Sequence, residues 1–500
     1  MSEPGCLDMQ TEAAVIDVGS NSVRLVVYRI EGRAMTPLLN EKVMAGLGRR
    51  LTATGALAPE GAEAALRALR RYRTLLDAHG VRNIYAVATA AVREAKDGDA
   101  FVERVKREVG LSLRVLSGDD EARLAALGVS AGAPNASGVV GDLGGSSLEL
   151  VAISPRGQVK RGETFALGPL ALSQGEAFDY AQASALADER LSASRVLESA
   201  DGDFYAVGGA WRALGRIDLK MRDHPLGVLH HYEMSLAEAI KLADVVRKQS
   251  RKSLERLEDA AAKRAESLPY AAVVLERVLA RGKFNRVILS AFGLREGVLL
   301  DRMSKPALDM DPLIAAAEAV AGRWSRTREF GPALERWIAP MFVGQAPVFP
   351  QERDHVLRAA AARLADVGGP LHPDQRSEIM FDLVLRAPLA AISHEERAFL
   401  AAAIHHRYTK APPRHAAAYE RLLHEEAKAA AAALGAALRL GADLTGRHEA
   451  LLSSFSIDAV DGRLRLRVKK GLAHLMTDTA QRRLDYAAAT LGLIAETNIA

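Results

Sequence analysis

Residues able to grip a phosphate recur twice in this chain at the same spacing. Val15–Val27 reads V-I-D-V-G-S-N-S-V-R-L-V-V, and Val140–Ala152 reads V-G-D-L-G-G-S-S-L-E-L-V-A. Laid over each other without gaps, they agree at six of thirteen positions: Val15/Val140, Asp17/Asp142, Gly19/Gly144, Ser22/Ser147, Leu25/Leu150 and Val26/Val151. In each, an apolar run ends in a carboxylate and passes into a turn of small residues (Gly19, Ser20, Asn21, Ser22; Gly144, Gly145, Ser146, Ser147). Glycine adopts backbone angles that other residues resist, so Gly19 and Gly144 are expected to sharpen the turn and aim its N–H groups outward. The hydroxyls add donors, and the turn becomes a nest for a phosphate oxygen. An aspartate at the end of the incoming strand can position a hydrated cation beside that phosphate. One Gly-rich turn alone reads first as an ordinary hairpin. Two copies in register point to two half-domains facing each other with phosphate between them. The copies differ at Arg24 against Glu149. A cation holds phosphate directly, while a carboxylate must work through a metal or a water.

Each copy must be carried by a strand, a tight turn and a returning strand. Glu60–His79 has helical spacing, and its Arg67, Arg70, Arg71 and Arg73 read as a solvated face. Ile84–Thr89 is strand-like and leads into Arg93; a strand-end hydroxyl and a guanidinium at a helix start can meet one anion. Leu113–Leu116 is a short strand entering a helix at Ser117, where Asp119 and Asp120 suit the helix dipole. Glu121, a turn or less into that helix, is the carboxylate placed to point back at the cleft. Tyr205–Ala210 is another strand, followed by Gly208, Gly209 and a helix. His224, His230 and His231 have no Cys or acidic partner at ligand spacing and read as structural. Arg286–Ser290 is the last strand before Ala291–Gly297 turns into a helix.

Five hundred residues exceed one core and fit three or four domains. The content, 49% hydrophobic and 26% charged, is that of a soluble globular protein. A net charge of +4 with 66 Lys and Arg permits a polyanionic partner without demanding one, and no nucleic-acid partner is expected. Cys6 is the only cysteine, which excludes an internal disulfide and fits a reducing compartment. No signal peptide or membrane span is expected, so the location reads as cytoplasmic without a membrane partner. Near Lys305–Asp311 the pattern changes to an Ala-rich helical stretch reaching about Leu440. Leu464–Val468 then alternates as a strand, with Arg463, Arg465, Arg467 and Lys469 on one face. Such a face is solvated sheet surface or a track for a polyanion. The domain boundaries are set at 1–135, 136–305, 306–442 and 443–500.

Taken together, D-V-G-S-N-S (17–22), A-T-A-A-V-R (88–93), S-G-D-D-E-A-R (117–123), D-L-G-G-S-S-L-E-L (142–150) and S-A-F-G-L-R-E-G (290–297) resemble the exopolyphosphatase/guanosine pentaphosphate phosphohydrolase (Ppx/GppA) family from Ala14 to about Met303. The resemblance implies two actin-like, ribonuclease-H-like half-domains around a cleft, an all-α HD-like domain and a small C-terminal α/β domain. It implies Mg²⁺-dependent removal of terminal phosphate from inorganic polyphosphate or pppGpp, by a homodimer, with K⁺ as an optional monovalent cation. Glu121 is the implied general base, assisted by Arg93. Asp142 and Glu149, with Asp17, are the implied metal carboxylates. Gly19, Ser20, Asn21, Ser22, Arg24, Thr89, Gly144, Gly145, Ser146, Ser147, Gly208 and Gly209 are the implied phosphate contacts. Three departures stand out: Ser146 replaces a third glycine, Ala88-Thr89 replaces Gly-Thr, and Ala365-Asp366 lacks the His of an HD pair. A crowded second loop and a structural or regulatory helical domain are the corresponding expectations. Arg49, Arg50, Arg247, Lys248, Arg251 and Lys252 are candidates to track a polyphosphate chain. Polyphosphate is the favoured substrate. A pppGpp phosphohydrolase, a sugar kinase or ATPase of the same superfamily, and a non-catalytic (p)ppGpp sensor are the rivals.

Overall fold

In the computed structural model the two repeated stretches open two sheets of like design. The structure describes residue 7 and residues 10–133, 135–155, 158–173, 177–257, 264–414 and 416–499. Cys6 and the side chain of Arg251 lie outside the described residues. The first sheet contains β1 (Gln10–Val18), β2 (Val23–Glu31), β3 (Ala34–Val43), β4 (Asn83–Ala88) and β5 (Leu113–Val115), in the order β3-β2-β1-β4-β5. The second contains β6 (Gly138–Leu143), β7 (Leu148–Ser154), β8 (Gln158–Val159), β9 (Glu163–Phe165), β10 (Asp203–Val207), β11 (Tyr232–Ser235) and β12 (Arg286–Leu289), in the order β11-β12-β10-β6-β7-β8, with β9 also on β7. In each sheet an antiparallel hairpin is joined on its first strand by a parallel strand, then by a second. β1 from Ala13 onward and β6 are central and largely buried, which is why residues 13–16 and 138–141 are continuous apolar or glycine runs rather than alternating ones.

Helices fill both faces. Pro59–Ala78 buries Leu66, Leu69, Tyr72 and Leu76 against the first sheet, at the helical spacing of its apolar residues. Its outer arginines are paired: Arg70 with Glu108, Arg71 with Glu41 and Arg73 with Asp77. Two helices, Gly118–Gly132 and Leu294–Leu300, cross between the halves with glycine at the contact. A Cβ built on Gly128 would lie 1.9 Å from the Gly293 carbonyl oxygen, and one on Gly297 would lie 1.8 Å from that of Leu124.

The chain divides into two compact units, Met1–Asp309 and Met310–Ala500. The second unit is helical from Pro312–Ala321 to Glu425–Thr445 and closes with β13 (Phe455–Val460), β14 (Arg463–Val468) and β15 (Ile494–Ile499) beside the helix Asp478–Thr490. Where the sequence reading sets two domains after residue 305, these segments form one unit. Trp337 donates its indole N–H to the Phe455 carbonyl (3.0 Å), joining the helical part to the sheet. Asp366 is buried, accepts the Arg326 N–H (3.1 Å) and pairs with Arg447 (3.0 Å), so its carboxylate braces this unit. The basic face of β14 is neutralised across the sheet: Arg463 and Arg465 face Glu496, and Arg467 faces Asp458 at 2.5 Å. It is a paired sheet surface rather than an open cationic track.

Candidate active site

The two turns close alike. The Gly19 N–H donates to the Ser22 carbonyl at 3.0 Å, and the Gly144 N–H to that of Ser147 at 2.9 Å. Strand register then sets Asp17 opposite Arg24 and Asp142 opposite Glu149. The turns face one another closely enough that a Cβ on Gly145 would stand 3.1 Å from the Cβ of Ser20. Gly19 and Gly144 do not use the backbone freedom expected of them, since neither has a positive φ. A Cβ there would stand 3.4 Å from the turn's own carbonyl, an ordinary contact, so the turn itself does not demand glycine at these two positions. Gly208 does need its freedom: its φ is 101°, and a Cβ would stand 2.3 Å from the Leu143 carbonyl.

Glu121 enters from the helix Gly118–Gly132. The Ser117 hydroxyl caps that helix by accepting the Asp120 N–H (3.1 Å), a contact worth about 1 kcal/mol. Asp120 and Asp119 turn outward toward Arg114 and Arg161, while Glu121 is only 6% exposed. Arg93 donates from Nη1 to Glu121 Oε2 (2.9 Å) and to the Leu116 carbonyl (2.9 Å). Burial pushes the Glu121 carboxyl up to about 7; Arg93 opposes the shift, and Asp142 and Asp17 add to it. Burial likewise raises Asp142 to about 6, and it holds Glu149 well above the usual carboxylate range with Glu121 and Asp142 adding repulsion.

A cavity of about 180 Å³ lies between the turns. Asp17, Gly19, Ser20, Asn21, Ser22, Arg24, Thr89, Glu121, Asp142, Gly144, Gly145, Ser147, Gly208 and Gly209 all line it. Three assigned residues do not. Arg93 stands behind Glu121. Glu149 is buried beside Asp142. Ser146 turns its hydroxyl toward Gly48, so it leaves the cavity uncrowded. Nor do Arg49, Arg50, Arg247, Lys248 or Lys252 line the cavity. Arg50 pairs with Glu60, and Arg247 and Lys248 share Asp244. His224 and His231 hydrogen-bond backbone carbonyls, and His230 accepts the Ala291 N–H and stacks on Phe292.

Four further cations complete the wall: Lys42, Arg212, Arg264 and Arg295. Lys42 is placed by β3, whose register sets it beside Arg24. Burial and the surrounding guanidiniums of Arg264, Arg24, Arg212 and Arg295 push its ammonium down to about 7. Arg212 falls to about 10 through burial and through Arg295 and Arg24. Its N–H reaches back to the Gly208 carbonyl, as that of Arg93 reaches the Thr89 carbonyl. The strand-turn-helix-Arg pattern therefore occurs once in each half, a signal present in the sequence. Arg295 is inside a quoted motif. Arg264 has no such mark.

The donor set suits a hard divalent cation. Glu149 Oε1 is buried with no hydrogen-bond partner among the described residues, and Glu121, Asp142 and Glu149 repel one another. Mg²⁺ takes such oxygens together with water and phosphate. Asp17 lines the same cavity, and its Oδ2 accepts from Arg295 at 3.2 Å. Among the described residues no three His, Cys, Asp or Glu side chains form a closed ligand group.

Two ribonuclease-H-like halves meeting over paired turns define an actin-like α/β protein. The sequence model of the Ppx/GppA phosphatase family matches residues 26–306, and that of the exopolyphosphatase C-terminal region matches residues 313–496. The chain belongs to the Ppx/GppA phosphatase family. Exopolyphosphatase 1 of Mycobacterium bovis is 32% identical over 139 residues, 27% of this chain and 40% of that protein. The guanosine-5'-triphosphate,3'-diphosphate pyrophosphatase of Aeromonas hydrophila is 26% identical over 326 residues, 63% of this chain and 64% of that protein. The crystal structure of an exopolyphosphatase from Cytophaga hutchinsonii superposes with a TM-score of 0.54 at 25% identity, covering 59% of this chain and 99% of that one. The chain thus spans less than two thirds of the length of the curated relatives it matches. No helix among the described residues is long and apolar enough to cross a membrane.

Proposed function

We propose that this protein is an exopolyphosphatase, releasing terminal orthophosphate from inorganic polyphosphate by Mg²⁺-dependent hydrolysis. The carrying observation is one cavity in which Glu121, both Gly/Ser turns and the cations Arg24, Lys42, Arg212, Arg264 and Arg295 converge. Hydrolysis of a phosphoanhydride needs a water in line, a base for its proton, and neutralisation of charge on the transferred group. Glu121 is the base: a carboxyl near 7 is poised to accept a proton at neutral pH. Arg93 is its positioning residue. By holding Oε2 it aims the other carboxylate oxygen at the water. The turns and the five cations hold the terminal phosphates. Asp142 and Glu149 would hold Mg²⁺, which when bound supplies further charge neutralisation at phosphoryl oxygens.

Substrate choice follows from the lining. Among the described residues that line the cavity none is aromatic, so it offers charge without a surface for a base. The test is phosphate release from long polyphosphate, pppGpp and ATP side by side with Mg²⁺, across a salt series. Polyphosphate is expected to have the highest kcat/KM. Its KM should rise with salt more steeply for long chains than short ones, by analogy with counterion release from nucleic acids. Equal or better hydrolysis of pppGpp would favour the second reading, a pppGpp phosphohydrolase, with which the Aeromonas relative agrees by name.

A further inference from the structure

A second cavity, of about 470 Å³, opens in the first half-domain and shares no lining residue with the first. It exists because β5 is short. β5 pairs only with Ala86, Val87 and Ala88 of β4, so β4 before Ala86 runs without a strand neighbour on that side. Gly110, Leu111 and Ser112 swing wide of it and form one wall. The helices Gly118–Gly132 and Leu294–Leu300 supply Leu124 and Val298, which with Ile84, Tyr85 and Val87 make an apolar floor.

Four arginines ring that floor: Arg73, Arg82, Arg114 and Arg302. The single carboxylate of the lining, Asp301, is taken by Arg123 at 2.7 Å. Arg73 and Arg114 have acidic partners in Asp77 and Asp120. Arg82 and Arg302 form no close ion pair among the described residues, though Asp77 feels the charge of Arg82 and Asp301 that of Arg302, and Arg302 stands over the Tyr85 ring at 5.8 Å. An apolar slot beside a flat ring, with guanidiniums at its mouth and no carboxylate to spare, differs in kind from the small charged cavity of the active site. Its volume is that of a small-molecule pocket. Guanidiniums bind phosphate oxygens two at a time and stack on flat rings.

The geometry points to a second ligand site, for an organic phosphate that joins a flat apolar body to at least two negative charges, the chemistry of a nucleoside diphosphate. The body lies on the floor beside Tyr85 and Arg302, and the phosphates meet Arg82, Arg114 and Arg73. Arg114 also pairs with Asp120, the neighbour of Glu121, so an occupant competes for a residue that touches the catalytic helix.

Calorimetry with ADP and with pyrophosphate as probes tests this on the full chain. The variants are Arg82→Ala, Arg302→Ala and Ser112→Trp, with Arg212→Ala as the control in the active-site cavity. ADP is expected to bind the unaltered protein at least tenfold more tightly than pyrophosphate. It should weaken at least tenfold in each of the three variants and less than threefold in the control. Arg82 and Ser112 are exposed, so those two variants keep the test readable if the half-buried Arg302 proves necessary for folding; thermal melts monitor this. Absence of ADP binding at millimolar concentration overturns the assignment. So does a loss confined to Arg212→Ala, or equal affinity for ADP and pyrophosphate.

Discussion

Across the strand from Asp17 stands Arg24; across the strand from Asp142 stands Glu149. The two hairpins otherwise use one design, down to the glycine N–H that closes each turn on a serine carbonyl. One exchange of charge divides the labour. The first half carries its own cation into the cleft and is ready for an anion. The second half carries the buried Glu149 beside the half-buried Asp142, whose charge raises the proton affinity of Glu149, and it sets carboxylates where the first half sets a cation. Arg295, from the second half, reaches Asp17 in the first and so occupies the carboxylate that would have made the halves alike. A repeated backbone therefore does not imply a repeated chemistry; the residue facing the aspartate decides it.

Removing the base should give the largest effect and leave the comparison itself intact. Glu121→Gln is expected to lower kcat by about a hundredfold or more, the scale of a positioned general base, with polyphosphate binding retained on the cations. Stopped assays together with equilibrium binding check both halves of that statement, and near-normal turnover would remove Glu121 from the role. The comparison is broken directly by treating its two sides in parallel. Glu149→Ala should raise the Mg²⁺ needed for half-maximal rate by roughly ten- to a hundredfold, the range for losing support of a metal site. Arg24→Ala should leave that Mg²⁺ titration in place and raise KM for polyphosphate. Identical Mg²⁺ curves for both variants would show that the halves are not divided in this way.

A smaller effect sharpens the anion-binding side. Lys42 loses its proton near pH 7 in the free protein, and a bound polyanion restores its higher proton affinity. Binding then takes up a proton, so polyphosphate affinity should fall as pH rises through 7, by at most about tenfold per unit for one group. Lys42→Met should flatten that dependence, which KM measured across pH 6–9 will show. The smallest effect is expected at β14. Arg467→Ala removes a charge already paired with Asp458, so KM for polyphosphate should stay within about twofold.

The hairpins were legible because an apolar strand, a glycine turn and a carboxylate are neighbours in sequence. Glu121 was legible for the same reason, being four residues beyond Ser117, with the outward pairing of Asp119 and Asp120 left for the structure to reveal. The cationic wall was not legible. Lys42 and Arg264 belong to none of the Gly/Ser motifs and meet Arg24 and Arg212 only through sheet register and tertiary approach. Arg463, Arg465 and Arg467 left two readings open, solvated sheet surface or polyanion track, and only the fold decides between them. Their alternation was plain, but Asp458 and Glu496, which neutralise them, sit on different strands that no local pattern connects. Short-range chemistry can be read from spacing; charge balance cannot, because the partners are chosen by the fold.

The crossing of Gly118–Gly132 and Leu294–Leu300 has a mechanical meaning. Main chain lies on main chain at Gly128 and Gly297, Leu124 and Val298 pack into the same core, and Arg123 holds Asp301 at 2.7 Å beside them. The contact is a keyed joint. Glu121 and Arg295 sit in the opening turns of these two helices. A methyl added at Gly128 or Gly297 would meet a carbonyl oxygen at 1.9 or 1.8 Å, so the spacing between base and guanidinium is gauged by main chain rather than by side chains that could repack.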